Sequence, residues 1–205
     1  FVGISIASCQ DKEKAKKYRL IFVNDDWKTN KEKYLENKDY VKTIYLYKTD
    51  SIPIWINEFK NLNVISSVDD SNQISYFPEG LEKCIDLQEL IFIGDNLSEI
   101  PSFIGNLSKL DTILLSENKI KEIPESFGNL KKLSRLDISN NKLSRLPKSF
   151  SQLESLQVFQ ISKNELTALP KDIGRLKKLT FLQANDNNIS ELPESFYELE
   201  NLLNK

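Results

Sequence analysis

The sequence predicts an α/β solenoid, in which short units stack along one axis and each unit contacts only its neighbours. A 23-residue pattern, L-x-x-L-x-L-x-x-N-x-L-x-x-L-P-x-x-F-G-x-L-x-x, recurs five times from residue 87 to residue 201, and its proline falls in step at Pro101, Pro124, Pro147, Pro170 and Pro193. In each unit the L-x-x-L-x-L segment directs its leucines inward. This segment has the form of a strand that pairs with its neighbours in a parallel sheet.

Other positions of the repeat also have structural roles. Asn occupies the ninth position in four of the five regular repeats, at Asn118, Asn141, Asn164 and Asn187. We expect these side chains to form a buried ladder of hydrogen bonds with the backbone where the chain leaves the strand. Asp95 takes the same position in the first regular repeat. Because an ionised Asp cannot donate, we expect either an altered ladder there or an exposed side chain. Phe side chains are expected to fill the core from the outer side at Phe127, Phe150 and Phe196, with Ile104 and Ile173 in the matching positions.

The pattern continues towards the N-terminus with irregular spacing. Residues 41–86 form two irregular repeats, 41–61 and 62–86, of which the first is shorter and the second longer than the regular unit. Residues 1–40 match nothing in the repeat and predict an N-terminal cap, which a solenoid needs to cover the first core face. Residues 87–201 form the five regular repeats, and residues 202–205 begin a further repeat without a capping unit.

Composition argues against several functional classes. The 205-residue chain has a formal net charge of −2 and contains no His, which excludes Ser-His and Cys-His catalysis. Only two Cys residues could act as soft ligands, so we expect no metal site. Lys residues are spread over the chain instead of forming a basic stripe, which argues against nucleic acid as a partner. No constellation of catalytic side chains stands out from the repeat, so we expect neither enzymatic activity nor a cofactor.

The first nine residues allow two interpretations. The run Phe1–Cys9 is apolar and small, and Met is absent from position 1, so we expect a processed or trimmed piece of a longer product. Its last four residues resemble a bacterial lipobox, in which case residues 1–9 end a lipoprotein signal and Cys9 is a lipid anchor to a membrane. The alternative is an N-terminal strand over the first repeat, with Cys9 a plain thiol. A Cys9–Cys84 disulfide is also conceivable, but Cys84 occupies an apolar repeat position and favours a buried free thiol.

The residues that carry this pattern resemble the 23-residue L-P-x-x-F-G-x-L class of leucine-rich repeat proteins, found among bacterial secreted and surface proteins and eukaryotic Ras-suppressor-like scaffolds. The resemblance covers residues 41–203 and is strongest from 87 to 201. It implies a right-handed horseshoe with the parallel sheet on its concave face and short helices or extended turns on its convex face. By analogy alone it implies a role in binding.

The candidate binding surface is the set of variable strand positions, whose side chains point away from the core. This surface is apolar and aromatic towards the N-terminus and polar towards the C-terminus, and aromatic and Arg side chains are favoured in protein-binding hot spots. The alternative is that the cap covers the N-terminal members or that strand propensity alone explains them. The predicted partner-binding residues are Tyr45, Tyr47, Glu89, Ile91, Ile93, Leu114, Arg135, Asp137, Val158, Gln160, Phe181 and Gln183.

The C-terminal end suggests a second contact surface. An uncapped repeat exposes apolar side chains and an unpaired strand edge, which promotes association. Either the native chain continues or another molecule covers this end. An end-to-end homodimer is one hypothesis, with contacts from Leu179, Leu182, Ala184, Leu202 and Leu203.

Two functional classes remain. The first is a non-enzymatic protein-recognition module of a bacterial exported or surface protein that acts on host components. The second is a cytosolic scaffold that regulates a signalling protein. A basic segment upstream of the apolar N-terminus would indicate export, whereas its absence would indicate the cytosol.

Overall fold

The structure is a computed structural model that describes residues 20–36, 38–67 and 71–203, and in this part of the chain eight short strands form one parallel sheet. Each strand pairs with the next strand in the sequence, which is the arrangement of a solenoid. The predicted fold class is therefore confirmed. The strands are β1 (Leu20–Val23), β2 (Thr43–Leu46), β3 (Val64–Ser67), β4 (Glu89–Ile91), β5 (Thr112–Leu114), β6 (Arg135–Asp137), β7 (Val158–Gln160) and β8 (Phe181–Gln183).

Short helices lie on the opposite side of the solenoid from the sheet. One is an α-helix, α1 (Lys31–Leu35). The others are 3-10 helices, and in the regular repeats most of them follow a proline, which fixes φ and ends the extended segment before it. The 3-10 helices are Asp25–Lys28, Ile56–Glu58, Glu79–Lys83, Ser102–Asn106, Glu125–Asn129, Lys148–Gln152, Ile173–Arg175 and Glu194–Glu198.

The core lies between the sheet and the helices. In the repeat that starts at residue 133, the inward side chains Leu133, Leu136 and Ile138 are fully buried, and Phe150 packs against them from the helical side. Phe127, Ile104 and Ile173 are equally inaccessible in their own repeats, and Phe196 is nearly so. The prediction that this Phe position belongs to the core is confirmed.

The Asn ladder is present, and it extends towards the N-terminus beyond the five regular repeats. The Asn118 Nδ2 donates to the carbonyl oxygens of Phe92, Leu115 and Ser116 at 2.7, 3.2 and 3.1 Å, while its Oδ1 accepts from the Leu97 amide at 2.9 Å. Such a side chain therefore forms hydrogen bonds both within its own turn and to the preceding repeat. The ladder positions recur at the spacing of the regular unit, at Thr49, Asn72, Asp95, Asn118, Asn141, Asn164 and Asn187.

Asp95 is the irregular member of this ladder. Its carboxyl is buried, with 5% of the residue exposed, so of the two expected outcomes the structure shows an altered ladder. Its Oδ1 accepts from the Ile74 amide at 3.1 Å, but its Oδ2 is buried without a hydrogen-bond partner. Burial raises the pKa of Asp95 above its ordinary value, because the charged form loses its hydration, and the Ser67 hydroxyl and the Ile74 amide only partly oppose this rise.

The glycine of the L-P-x-x-F-G-x-L segment marks a close approach between repeats. A Cβ at Gly128 would lie 2.5 Å from the carbonyl oxygen of Ser149 in the next repeat, and Gly105 meets Ser126 in the same way. One repeat has Ser151 in the glycine position, and there the partner on the next repeat is Asp172, whose Oδ2 accepts from the Ser151 Oγ at 2.6 Å. In these regular repeats the close approach is met either by a glycine or by a hydrogen-bonded polar pair.

The sheet begins within the segment assigned to the N-terminal cap. Leu20 is opposite Thr43, which follows it by the length of one regular unit, so β1 continues the register of the repeats. Below β1, the rings of Trp27, Tyr34 and Phe59 surround Trp55 at centroid distances of 5.8 to 6.0 Å. Tyr34, Trp55 and Phe59 belong to the hydrophobic core, and Trp27 packs against it. The run from Phe1 to Cys9 lies outside the described residues, so the lipid-anchor prediction for Cys9 stays a prediction.

Candidate functional site: the outward face of the sheet

The structure places the predicted partner-binding residues together on one surface. Strand register aligns them in columns, for example Arg135 opposite Val158 and Val158 opposite Phe181. All twelve are partly or fully exposed. Ile93 and Phe181 are the most exposed apolar members, at 45% and 44%. Tyr47 and Ile93 lie just beyond the ends of their strands, on the same side of the chain.

An aromatic cluster occupies the N-terminal part of this face. The Phe22 ring lies 5.2 Å from the Tyr45 ring and 6.0 Å from the Tyr47 ring, the latter in an edge-to-face arrangement. The Asn24 Nδ2 donates to the Tyr47 hydroxyl at 3.4 Å. These contacts hold both tyrosines in place while leaving them partly exposed.

The predicted binding residues do not include Phe22, because the predicted repeats begin at residue 41. The signal was available, since Phe22 precedes Tyr45 by the length of one regular unit and faces it in the sheet. We define the N-terminal apolar patch as Phe22, Tyr45, Tyr47, Ile91, Ile93 and Leu114. Ser66 lies between Tyr45 and Ile91 in the register and is almost fully covered, so it separates the aromatic and aliphatic parts of the patch.

The C-terminal part of the face is polar and internally hydrogen-bonded. The Asp137 Oδ1 accepts from both the amide and the hydroxyl of Ser139, at 3.0 and 2.7 Å. The Gln160 Nε2 donates to the Gln183 Oε1 at 3.3 Å on the neighbouring strand. Asp137, Gln160 and Gln183 are therefore already partnered along the face, whereas Arg135 and Phe181 extend into solvent.

Two features of the described residues bear on metal binding and thiol chemistry. Within the described part of the chain, no group of three or more Asp, Glu or Cys side chains is arranged to hold a metal ion. Cys84 is a buried free thiol there, as favoured in the sequence analysis, and its Sγ lies 3.6 Å from the Ile56 carbonyl oxygen. Burial raises the pKa of Cys84 to about 11, so the reactive thiolate is suppressed at neutral pH.

The predicted end-contact residues differ in their accessibility. Leu179 is fully buried and Leu202 nearly so, and therefore neither offers a contact surface at the end; this part of the prediction is wrong, because both residues occupy the first repeat position, which points into the core. Leu182 and Ala184 are half-buried, and Leu203 is exposed.

In the described residues no helix is long and apolar enough to span a membrane.

A parallel sheet in chain order, an Asn ladder and proline-initiated outer helices define a leucine-rich repeat solenoid. Comparison with known proteins agrees: residues 41–166 match the sequence profile of the leucine-rich repeat region, and the chain belongs to the leucine-rich repeat family. This family generally provides non-enzymatic binding scaffolds. No curated protein sequence matches the chain.

Solved structures give the same fold. A leucine-rich repeat protein of Leptospira interrogans is 32% identical, with a TM-score of 0.76, over 83% of this chain and 43% of that protein. The leucine-rich repeat ectodomain of the Arabidopsis thaliana receptor kinase GASSHO1/SCHENGEN3, solved in complex with CASPARIAN STRIP INTEGRITY FACTOR 2, is 30% identical with a TM-score of 0.71, over 83% of this chain and 21% of the ectodomain. An internalin of Listeria monocytogenes shares the fold at 18% identity, with a TM-score of 0.73, over 94% of this chain and 56% of the internalin. The chain thus spans less than two thirds of each of these proteins.

Proposed function

We propose that this chain is a non-enzymatic protein-recognition module that binds its partner through the outward face of the sheet. The observation that carries the proposal is the N-terminal apolar patch, in which Phe22 fixes Tyr45 and Tyr47 against each other while both remain partly exposed. Rings held in place before binding lose little conformational entropy, and aromatic anchors dominate the energy of protein interfaces.

The dimensions of the face favour a protein or an extended peptide over a small molecule. Tyr45 and Phe181 lie on strands six steps apart, which corresponds to about 29 Å at ~4.8 Å per strand. Between these two anchors lie aliphatic side chains on β4 and β5 and the exposed Arg135 on β6. The plant receptor ectodomain that is similar to this chain was solved in complex with CASPARIAN STRIP INTEGRITY FACTOR 2. This complex supports a role in binding for the same architecture.

The test is a binding measurement with partners selected by display of a protein or peptide library on the purified chain. We expect Tyr45→Ala and Ile91→Asp each to weaken a selected partner at least tenfold, which corresponds to about 1.4 kcal/mol. Phe181→Ala should weaken partners that span the whole face. Ile54→Ala and Ile85→Ala are matched controls, because Ile54 and Ile85 are 67% and 63% exposed but lie away from the strands. Equal affinity for the wild type and all three face variants would refute the proposed site.

We also infer that the chain belongs to an exported, surface-attached bacterial protein and that its repeats are of the 23-residue L-P-x-x-F-G-x-L class. The lipobox-like sequence Ile6-Ala7-Ser8-Cys9 supports this inference, as does the similarity to a bacterial leucine-rich repeat protein. The experiment is metabolic labelling with palmitate in a bacterium that expresses the gene with its natural upstream sequence. We expect label on the wild type and none on Cys9→Ser. Unlabelled wild type in the cytosolic fraction would favour the scaffold interpretation instead.

A further inference from the structure

A cavity opens between the repeats 133–155 and 156–178, on the side of the solenoid where the chain passes from the ladder Asn to the outer helix. It has a volume of about 550 Å³, and its apolar lining comes from Leu146, Pro147, Ala168, Leu169 and Pro170. The repeats before and after these two are also described, so the cavity is internal to the solenoid.

The short side chain of Ala168 explains why the cavity is open. Ala168 stands two residues before the proline of its repeat, a position that carries a long charged side chain in the other four regular repeats, at Glu99, Glu122, Arg145 and Glu191. The apolar residue before each proline reports the difference. Ile100, Ile123 and Leu169, which precede repeats with a charged side chain at this position, are 5%, 6% and 4% exposed. Leu146, which precedes the repeat with Ala168, is only partly buried.

The charged residues around the cavity are mostly basic. Arg145, Lys148 and Lys171 line it, and all three are exposed. In the two adjacent repeats the same repeat positions are acidic, at Glu122, Glu125, Glu191 and Glu194. The positive charge is therefore confined to the two repeats that form the cavity.

The protein itself neutralises little of this positive charge. Among the described residues, neither the Lys148 nor the Lys171 ammonium group forms an ion pair. The Arg145 Nη2 lies 3.5 Å from the Glu122 Oε1, but these side chains are 76% and 72% exposed. Because water screens exposed pairs of this kind, they contribute little free energy and are easily exchanged for another partner.

An acidic side chain in the lining, Asp172, is already paired. Its Oδ2 accepts a hydrogen bond from the Ser151 Oγ at 2.6 Å and lies 3.6 Å from the Arg175 Nη1. Neither Ser151 nor Arg175 belongs to the cavity lining. The basic side chains of the cavity therefore remain available to an acidic ligand.

From these observations we propose that the cavity is a second docking site, separate from the sheet face, for an acidic segment of another protein. The segment places one apolar side chain against Leu146, and its carboxylates pair with the surrounding basic side chains. Because these basic side chains stand on both repeats, a segment with carboxylates on each side of the apolar group meets more of them than a ligand with a single carboxylate does. Acidic motifs are recognised by basic clusters in other proteins as well. The acidic residues of the adjacent repeats repel a longer acidic run and so restrict where the segment lies.

The test is an NMR titration of the isotopically labelled 205-residue chain with three peptides that are blocked at both ends. The first is Gly-Asp-Glu-Leu-Glu-Asp-Gly, the second has Ser in place of Leu, and the third has Lys in place of every acidic residue. The first peptide should bind about tenfold or more tightly than either of the others at low salt, and its advantage over the Lys peptide should shrink as salt rises. Its chemical-shift changes should centre on the amides of residues 144–148 and 167–172.

Variants separate the cavity from the overall charge of the chain. Ala168→Glu gives this repeat the side chain that its neighbours have, and it should weaken the first peptide about tenfold or more, because it fills the cavity and adds a negative charge. The double variant Lys148→Glu, Lys171→Glu should do the same. The double variant Lys132→Glu, Lys178→Glu is the matched control, because it changes the net charge equally at exposed lysines outside the cavity, and it should retain most of the affinity.

Several outcomes overturn the proposal. Equal or absent binding of the three peptides removes the stated chemistry, and an equal loss in both double variants reduces the effect to net charge. Full affinity in Ala168→Glu, or shift changes centred elsewhere, removes the cavity as the site. If sodium decanoate binds as tightly as the first peptide, a small amphipathic ligand occupies the cavity instead. Circular dichroism of each variant identifies misfolding.

The two proposed sites can be tested independently. Tyr45→Ala alters only the sheet face, so it should leave the affinity for the acidic peptide unchanged. Ala168→Glu should in turn leave unchanged the affinity of partners selected for the sheet face. Failure of the cavity site and failure of the proposed function are therefore distinguishable.

Discussion

Asp95→Asn should stabilise this protein, because it gives the first regular repeat the same ladder side chain that the other four regular repeats have. At Asn118 the amide nitrogen donates to three carbonyl oxygens. At Asp95 the corresponding Oδ2 is buried and has no hydrogen-bond partner. A buried unsatisfied polar atom costs about 1–3 kcal/mol, so we expect the free energy of unfolding to rise by about that amount at pH 7. For a chain of this length each kcal/mol corresponds to roughly 2–4 °C in melting temperature.

The pH dependence gives this prediction a second, independent readout. Burial raises the folded-state pKa of Asp95 above its ordinary value of 3.8, so the folded state binds the proton more tightly than the unfolded state does. The stability that the protonated carboxyl contributes is present below pH 3.8 and is lost as the pH rises through the raised pKa. Asn does not titrate. The advantage of Asp95→Asn should therefore be small near pH 4 and larger at pH 7.

The assay is urea unfolding followed by circular dichroism at both pH values. Asn118→Asp is the matched reverse variant, because it places a carboxyl at the neighbouring ladder position; it should destabilise the protein, and more so at pH 7 than at pH 4. The reasoning is refuted if Asp95→Asn is less stable than the wild type at pH 7, or if its advantage is the same at both pH values.

Three further stability predictions follow from the repeat geometry, each measured by urea unfolding of the variant beside the wild type. Asn141→Ala should lower the free energy of unfolding by about 1–3 kcal/mol, because the Asn141 side chain bonds the Leu115 carbonyl oxygen and the Ile120 amide; an unchanged midpoint would contradict the structural role of the ladder. Gly128→Ala should lower the free energy of unfolding by about 1–3 kcal/mol, because the added Cβ overpacks against Ser149. Ser151→Gly, at the equivalent position, should lower it by less. Glu117→Asn should gain up to about 1 kcal/mol, since Glu117 has a left-handed φ of 60° that Asn tolerates better; a loss of stability would show that the Glu side chain makes a compensating interaction.

The regular repeats were predictable from sequence because each position has one physical task. Leu136, Asn141 and Phe150 lie where the 23-residue pattern places them, since the burial that selects these residue types also fixes the register. Phe22 was not predicted because the repeat positions that would mark its unit hold Ile21 and Val23 instead of Leu, Asp26 instead of Asn and Asn30 instead of Pro, although its strand keeps the 23-residue step. Burial of Leu179 and Leu202 was misjudged because an open end was treated as exposing every apolar residue near it. In fact exposure depends on which side of the last repeat a side chain faces.

The proposed site on the sheet face follows from the way strands are built. The sheet face is open because strand alternation sends every second side chain away from the core, so its composition is free to vary without loss of stability. Tyr45 and Tyr47 are thus available for recognition, and Phe22 fixes their geometry. A substitution on the face should therefore change affinity with little effect on folding.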